Sequence, residues 1–408
     1  MPGLNESCHP IATYETDIYL SYQPTTDPFM RVLIIPSWYF PHGSDEIGGR
    51  MFHELAIGLK EQGIDVHILF ADFSRHAPFN KQININYEQG ILTWRVSHFF
   101  PPKLTSLLIQ SWIRKYVRAL VKYIEAEGRP DLVHAQSYLA GMVCAELHRK
   151  SKIPFIITER VSTFITGRVP KRYESFIRDS FNKASGITCV SPGLKSYLLN
   201  YTNKPIEVIP NFYDPSVFYR DTGIQKFKKF TWLSVGEPAY VKGLDLLLNA
   251  YAKVRQKFHD VEMELILIDR IRGQKELVEL SRQLGIDNQI SWRGLISHTE
   301  VAGIMRQSHV LVSASRTETF GKSILEAQAC GLPVVATKTD GASFILNSSE
   351  QGILVALNDV DALAKEMEEM CKEHSSYHSG AIVASVKSRF RKDVVMEKWK
   401  NYYSKILA

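Results

Sequence analysis

Cysteine is scarce in this 408-residue chain. Cys8, Cys144, Cys189, Cys330 and Cys371 are scattered, without the paired spacing of a disulfide framework or a thiolate zinc site. The cytoplasm fits that usage best. Long hydrophobic runs are missing too. No stretch approaches the roughly 18 apolar residues of a membrane span, and residues 1–29 lack the apolar core of a secretory signal, so neither a spanning nor an exported protein is expected. Also absent are a G-x-G-x-x-G dinucleotide fingerprint, a P-loop, G-x-S-x-G and H-E-x-x-H, which leaves a nicotinamide enzyme a distant candidate. What is present is ordinary globular composition, 45% hydrophobic and 23% charged, in a chain long for one core and comfortable for two domains.

Net charge is a modest +6, but its distribution is uneven. Residues 1–94 carry 5 Lys and Arg against 11 Asp and Glu, whereas residues 95–204 carry 18 against 7. Part of that positive charge lies on an amphipathic helical pattern, Lys103 to Glu127, with Trp112, Arg114, Lys115, Arg118 and Lys122. Either it is a surface helix with one buried face, or it touches anionic lipid headgroups. No nucleic-acid partner is expected.

Residues 1–29 are polar and aperiodic and read as an appendage. From Met30, strands alternate with helical patterns twice over. The first series has strands at Val32–Ile35, Val66–Phe70, Asp131 onward, Pro154 onward, Ile187–Val190 and Ile206–Ile209. The second has Thr231–Gly236, Met263–Ile268, Ile290–Arg293, Val310–Ser313, Pro333–Ala336 and Ile353–Val355. Such alternation gives an α/β chain of two doubly wound parallel sheets. The expected units are 30–214, 215–378 and a helical tail, 379–408.

The stretch SRTETFGKSILEAQACGLPVVAT, Ser315 to Thr337, places a loop carboxylate, Glu318, eight residues before a helix carboxylate, Glu326. Between them Gly321 and Lys322 begin the helix, whose unpaired N–H groups and dipole suit a phosphate, while the two carboxylates suit hydroxyls. A diphosphate between two polyhydroxy rings satisfies both. Lys242 opens an earlier helical pattern, KGLDLLLNAYAKV, where a cation opposes the dipole and is better explained by a bound anion.

The stretch resembles the E-x7-E signature of the retaining glycosyltransferases of family 4, relatives of the glycogen and sucrose synthases, with Glu318, Phe320, Gly321, Glu326, Gly331 and Pro333 all in place. The resemblance implies a GT-B fold, two Rossmann-like domains facing a central cleft, and a metal-independent transfer from a nucleotide-diphosphate sugar with no cofactor. It implies that Glu318 contacts the donor sugar, that Phe320 and Gly321 lie over sugar and phosphate, that Glu326 holds the ribose, and that Lys242 holds the diphosphate. Lys322, Gly294 and Leu295 are further donor-side candidates. The double glycine Gly48-Gly49 is placed near the diphosphate, although a plain loop reads equally well.

On the acceptor side DLVHAQSYLAG is similar to the family's H-A-H segment, with His134 first and Gln136 in the second place. Gln can hydrogen-bond a hydroxyl but carries no titrating proton, and His134 taken alone is as readily a core histidine as a ligand. TERVS resembles the T-E-H-S run of enzymes that build cell-surface polysaccharides, so Glu159 matches and Arg160 replaces a histidine. Arg160 either meets an acidic acceptor or pairs internally with Glu159 or Glu174. A glycan or lipid-linked acceptor is expected, at the cytoplasmic side of a membrane. The largest departure is Glu237, where the family usually has an arginine; Arg270 or Arg272 is expected to compensate. Gln136 and Glu237 also admit a rival reading, a catalytically weak relative acting as a partner subunit. Asp359-Val360-Asp361 reads as a helix cap rather than a metal site, and Cys371, His374 and His378 have only a loosely metal-like spacing.

Overall fold

Strands buried on both faces must be apolar along their whole length, and VLII, LILI, VLV and VVA meet that demand. The computed structural model describes residues 30–39, 49–72, 82–99, 106–237, 240–269 and 275–408. Its first half contains β1 (Arg31–Pro36), α1 (Arg50–Glu61), β2 (Asp65–Asp72), β3 (Gln82–Glu88), β4 (Ile91–Ser97), α2 (Ser106–Glu127), β5 (Leu132–Gln136) and α3 (Tyr138–Ser151). It continues with β6 (Phe155–Glu159), α4 (Lys171–Lys183), β7 (Gly186–Cys189), α5 (Pro192–Leu198) and β8 (Ile206–Val208). The described strands form one sheet in the order β3-β4-β2-β1-β5-β6-β7-β8, parallel except for the edge strand β3.

The second half contains β9 (Phe230–Val235), α6 (Leu244–Lys257), β10 (Met263–Ile268), α7 (Lys275–Gln283), β11 (Ile290–Arg293), α8 (His298–Gln307), β12 (Val310–Ser313) and α9 (Lys322–Ala329). Then follow β13 (Val334–Thr337), α10 (Asp340–Ile345), β14 (Gly352–Val355), α11 (Val360–Glu373), α12 (Ser379–Phe390) and α13 (Lys392–Leu407). Its sheet is wholly parallel, in the order β11-β10-β9-β12-β13-β14. The two doubly wound sheets read from the alternation are therefore present.

Each sheet reverses its winding direction once, between β1 and β5 in the first and between β9 and β12 in the second. At such a switch point adjacent loops leave in opposite directions and open a crevice at the carboxyl edge. The loops carrying Lys242 and Glu318 follow β9 and β12, so the switch point of the second sheet brings them together.

The β3–β4 hairpin departs from the strand-helix alternation expected of the first half. Its signal is the alternation in QININYE and ILTWRVS around a two-residue turn, Gln89 and Gly90, both at positive φ. The antiparallel hairpin has no helix between its strands and so interrupts that rhythm. The C-terminal helix α13 lies against α1 and buries Trp399, Tyr402 and Tyr403 in the core around β1 and β5. Fully burying an aromatic side chain of this kind contributes about 1.5–3 kcal/mol. Among the described residues, no helix is long and apolar enough to cross a membrane.

Candidate active site

Gly236 ends β9, and the stem of Lys242 lies across it: a Cβ at Gly236 would stand 2.6 Å from Lys242 Cε. Lys242 precedes Gly243, the residue before α6, and so sits in a turn rather than opening the helix. Its Nζ donates to Glu318 Oε2 at 2.6 Å, and each side chain is 16% exposed. Arg316, unassigned from sequence, fastens the two loops. Its guanidinium binds Asp245 through two bonds of 2.8 and 2.6 Å, donates to the Tyr240 carbonyl at 2.8 Å and lies 4.3 Å from the Tyr240 ring centre. The backbone N–H of Arg316 donates to the Val241 carbonyl as well. Such a planar fork holds geometry better than a single charge does.

Gly321 precedes α9 at φ 89°, a left-handed conformation that a side chain disfavours, and no side chain caps the helix start. Phe320 next to it is only 2% exposed. Its ring meets Phe344 and Phe390 at 6.3 and 5.7 Å between centroids. Any contact of Phe320 with sugar or phosphate, as the resemblance implies, is therefore not made by its ring. Phe320 is a core aromatic that anchors the loop, and Gly341 closes on its backbone from behind.

One turn into α9, Glu326 is 6% exposed, and its Oε1 has no hydrogen-bond partner. Burial pushes this carboxyl up to about 7 despite Lys322 nearby. A buried carboxylate oxygen without a hydrogen bond is costly, and a ligand hydroxyl would satisfy it. Lys322 Nζ lies 3.7 Å from Glu326 Oε1 but donates to Glu54 Oε2 of α1 at 2.7 Å. Arg50 Nε and His298 Nδ1 stand 3.4 and 3.6 Å from the other Glu54 oxygen. Burial opposes ionisation of Glu54, but Lys322, His298 and Arg50 outweigh it and hold the carboxyl below its ordinary value. Burial, with Lys322, lowers His298 to about 4, so this imidazole is neutral at pH 7. Neither Glu54 nor His298 had a sequence signal, because their role depends on the two halves meeting.

Gly294 and Leu295 follow β11, the edge strand of the second sheet, and Leu295 is 40% exposed. Gly49 caps α1 at φ 87°, and a Cβ there would be 2.7 Å from the Trp38 carbonyl oxygen, so the close approach that it permits is to the protein's own chain. Gly48, Arg270 and Arg272 lie outside the described residues, and with the two arginines so does the proposed compensation for Glu237, itself exposed.

The acceptor-side candidates divide. His134 is fully buried: its Nδ1 meets the Tyr403 hydroxyl at 2.7 Å, its Nε2 meets Thr158 Oγ1 at 2.5 Å, and Trp399 packs on its ring. Burial holds it well below its ordinary value, and of the two readings open from the sequence, core histidine or ligand, the core one describes it. Gln136 is also fully buried, its side chain held between His134 and Arg160 rather than presented to an acceptor. Glu159 is fully buried, accepts the Tyr138 N–H, and is pushed up to about 8 by burial. It too faces the interior. Arg160 does not bond Glu174, which pairs with Arg178; it donates to Gln136 Oε1 at 2.7 Å and Asn211 Oδ1 at 2.6 Å. Arg160, Asn211, Glu54, Lys322 and Trp399 line a small, solvent-open pocket between the halves. Arg160 thus remains at the cleft, held by a buried chain of polar groups that begins in α13.

Asp359 caps α11 by accepting the Ala362 N–H, as read from the sequence, and Asp361 pairs with Lys253. Among the described residues, no group of three His, Cys, Asp or Glu has the arrangement of a metal site.

Two family models match this chain. Residues 48–217 match Glycosyltransferase Family 4, and residues 220–380 match Glycosyl transferases group 1. The chain is a glycosyltransferase of the GT-B fold. Sucrose-phosphate synthase from Thermosynechococcus elongatus superposes with a TM-score of 0.77 at 18% identity, over 92% of this chain and 99% of that one. Anabaena HepE, solved with UDP and glucose, gives 0.69 at 16% identity, over 92% and 100%. In sequence, this glycosyltransferase is 26% identical over 337 residues to the D-inositol 3-phosphate glycosyltransferase of an Arthrobacter species, covering 77% of this chain and 79% of the relative. The two matched segments meet between residues 217 and 220, ahead of β9, which opens the second sheet.

Proposed function

We propose that this glycosyltransferase takes a sugar from a nucleoside diphosphate donor and passes it, with retention and without a metal, to an acceptor hydroxyl. The observation that carries the reading is the buried Glu326 carboxylate one turn into the uncapped helix α9, its Oε1 without a hydrogen-bond partner, together with the Lys242–Glu318 pair in the loops after β9 and β12. Glu326 accepts the ribose hydroxyls. Lys242 and the first N–H groups of α9 face the diphosphate and stabilise the charge that develops as the anomeric carbon–oxygen bond breaks. Glu318 orients the donor sugar. In the mechanism usual for the resembled family, the acceptor oxygen bonds to the anomeric carbon and the departing phosphate oxygen takes the acceptor proton, so no separate base is required. UDP is the first nucleotide to test, since HepE was solved with it.

Arg160 supports an acceptor with an acidic group next to its hydroxyl. The relatives named for inositol phosphate and sucrose phosphate agree with that class. A glycan or lipid-linked acceptor in cell-surface polysaccharide assembly, met at the inner membrane face in the cytoplasm, is the form of it proposed here. Its support is the exposed stripe Arg114, Arg118 and Lys122 on α2, whose Trp112 is half-buried against Tyr116. Isothermal titration with UDP tests the site. Lys242→Ala should weaken binding about ten- to hundredfold, the loss of one charge-assisted contact. Unchanged affinity would refute the assignment. UDP binding without hydrolysis or transfer of any nucleotide sugar would favour the partner-subunit reading.

A further inference from the structure

β3 ends the first sheet, and among the described residues no strand pairs with its outer edge. The Gln89–Gly90 turn decides which backbone groups point outward. In a two-residue hairpin with both turn residues at positive φ, the flanking pair, Glu88 and Ile91, exchanges hydrogen bonds, and bonded and non-bonded pairs alternate from there. Gln82, Asn84, Asn86 and Glu88 therefore bond to β4, whereas the N–H and C=O groups of Ile83, Ile85 and Tyr87 point away from it. The side chains of those same three residues stand opposite Val96, Trp94 and Leu92, all in the core. Ile83 packs against that core, but Ile85 is 46% and Tyr87 75% exposed. Edge strands ordinarily carry a lysine, a proline or a bulge that prevents further pairing. From Gln82 to Tyr87 this one has no charge and no proline, and its register with β4 is unbroken.

We propose that β3 pairs antiparallel with β3 of a second copy of this chain, about a two-fold axis at Ile85, and so forms a reversible dimer with one continuous sheet. The strand is self-complementary in that register. Ile85 meets Ile85 of the second copy, Ile83 meets its Tyr87, Asn84 meets its Asn86 and Gln82 meets its Glu88, so no like charges face each other. The outward groups of Ile83, Ile85 and Tyr87 exchange about six hydrogen bonds, and the apolar row that runs from the core to the edge continues into the second copy. An axis at Asn84 would leave Tyr87 outside that row, and one at Asn86 would leave Ile83 outside it. Helix α2 does not obstruct the pairing. It covers β2 and β4 through Tyr123, which meets His67 and Trp94, and the β4 strands of the two copies stand three strand spacings apart, about 14 Å, more than the diameter of a helix. Pairing uses up the edge, so association stops at two. The contact is small and belongs with weak, reversible interfaces. Because the axis stands perpendicular to the sheet, the exposed Arg114, Arg118 and Lys122 of both copies lie on one face of the dimer.

Sedimentation velocity of the full chain over roughly 1–200 µM should show a monomer–dimer equilibrium with a Kd on the order of 10 µM. Ile85→Lys sets two ammonium groups opposite each other at the axis and should raise that Kd about tenfold or more, while thermal unfolding stays cooperative. Cysteine pairing reads the register independently. Asn84 and Asn86 of the second copy form a non-hydrogen-bonded pair with Cα atoms about 4.5 Å apart, within disulfide reach, whereas Asn84 lies about 7–8 Å from its own symmetry copy. Asn84→Cys and Asn86→Cys, mixed in equal amounts and oxidised, should therefore give a disulfide-linked dimer that wild type and either variant alone do not give. Wild type sedimenting as a monomer throughout, species growing beyond a dimer, self-association unchanged by Ile85→Lys, or a mixture that links no better than its separate variants each overturns the proposal. Should Ile85→Lys fail to fold, the mixed crosslink decides.

Discussion

Glu326→Gln should make this protein more stable and a poorer binder, two effects of opposite sign at one residue. The carboxyl is raised from 4.5 to about 7, burial being the largest cause. Each tenfold in proton affinity is worth about 1.4 kcal/mol. Ionised Glu326 therefore costs the folded state on the order of 3 kcal/mol above pH 7. A group whose folded value is raised favours the fold below its unfolded value and loses that contribution as pH climbs to the folded one, so the cost grows between about pH 4.5 and 7. Glutamine never ionises but still buries an amide, which takes back about 1–2 kcal/mol. The net gain at pH 8 is about 1–2 kcal/mol, or roughly 2–8 °C in Tm for a domain of about 200 residues. At pH 5 the gain should nearly vanish. UDP affinity should fall about ten- to hundredfold with the loss of a charged acceptor. Scanning calorimetry at the two pH values, with UDP titration at pH 8, reads all of this. A lower Tm at pH 8, equal Tm changes at both pH values, or undiminished UDP affinity would refute the reasoning.

Tyr403→Phe removes the hydroxyl that meets His134 Nδ1 at 2.7 Å in a fully buried setting. Destabilisation of about 1–3 kcal/mol should follow, measured by urea unfolding, with UDP affinity unchanged because the contact lies in the first half. Co-sedimentation with vesicles containing anionic lipid should release the protein as salt rises, screening Arg114, Arg118 and Lys122. Equal binding to neutral vesicles, or none to either, would leave α2 as a plain surface helix.

The two doubly wound sheets were legible in the sequence because a strand buried on both faces must be apolar throughout and a covering helix must repeat its apolar positions every three or four residues. The motif around Glu318, Gly321 and Glu326 was legible for a related reason: its parts lie within one strand-loop-helix unit, where chain distance and spatial distance nearly coincide. Contacts that join distant segments were not. Lys242 and Glu318 could each be singled out, but only the switch point between β9 and β12 puts them 2.6 Å apart. Burial decided the acceptor side. His134, Gln136 and Glu159 stand at a strand end in the sequence, yet packing from α13 turns the first two into a buried support for Arg160. Phe320 went the same way, its ring claimed by Phe344 and Phe390 from later segments. Local pattern fixes which residue types occur in which element. Which face of that element meets solvent, a ligand or another helix is a property of the assembled layers, and the pairing of Glu54 with Lys322 across 268 positions of chain exists only there.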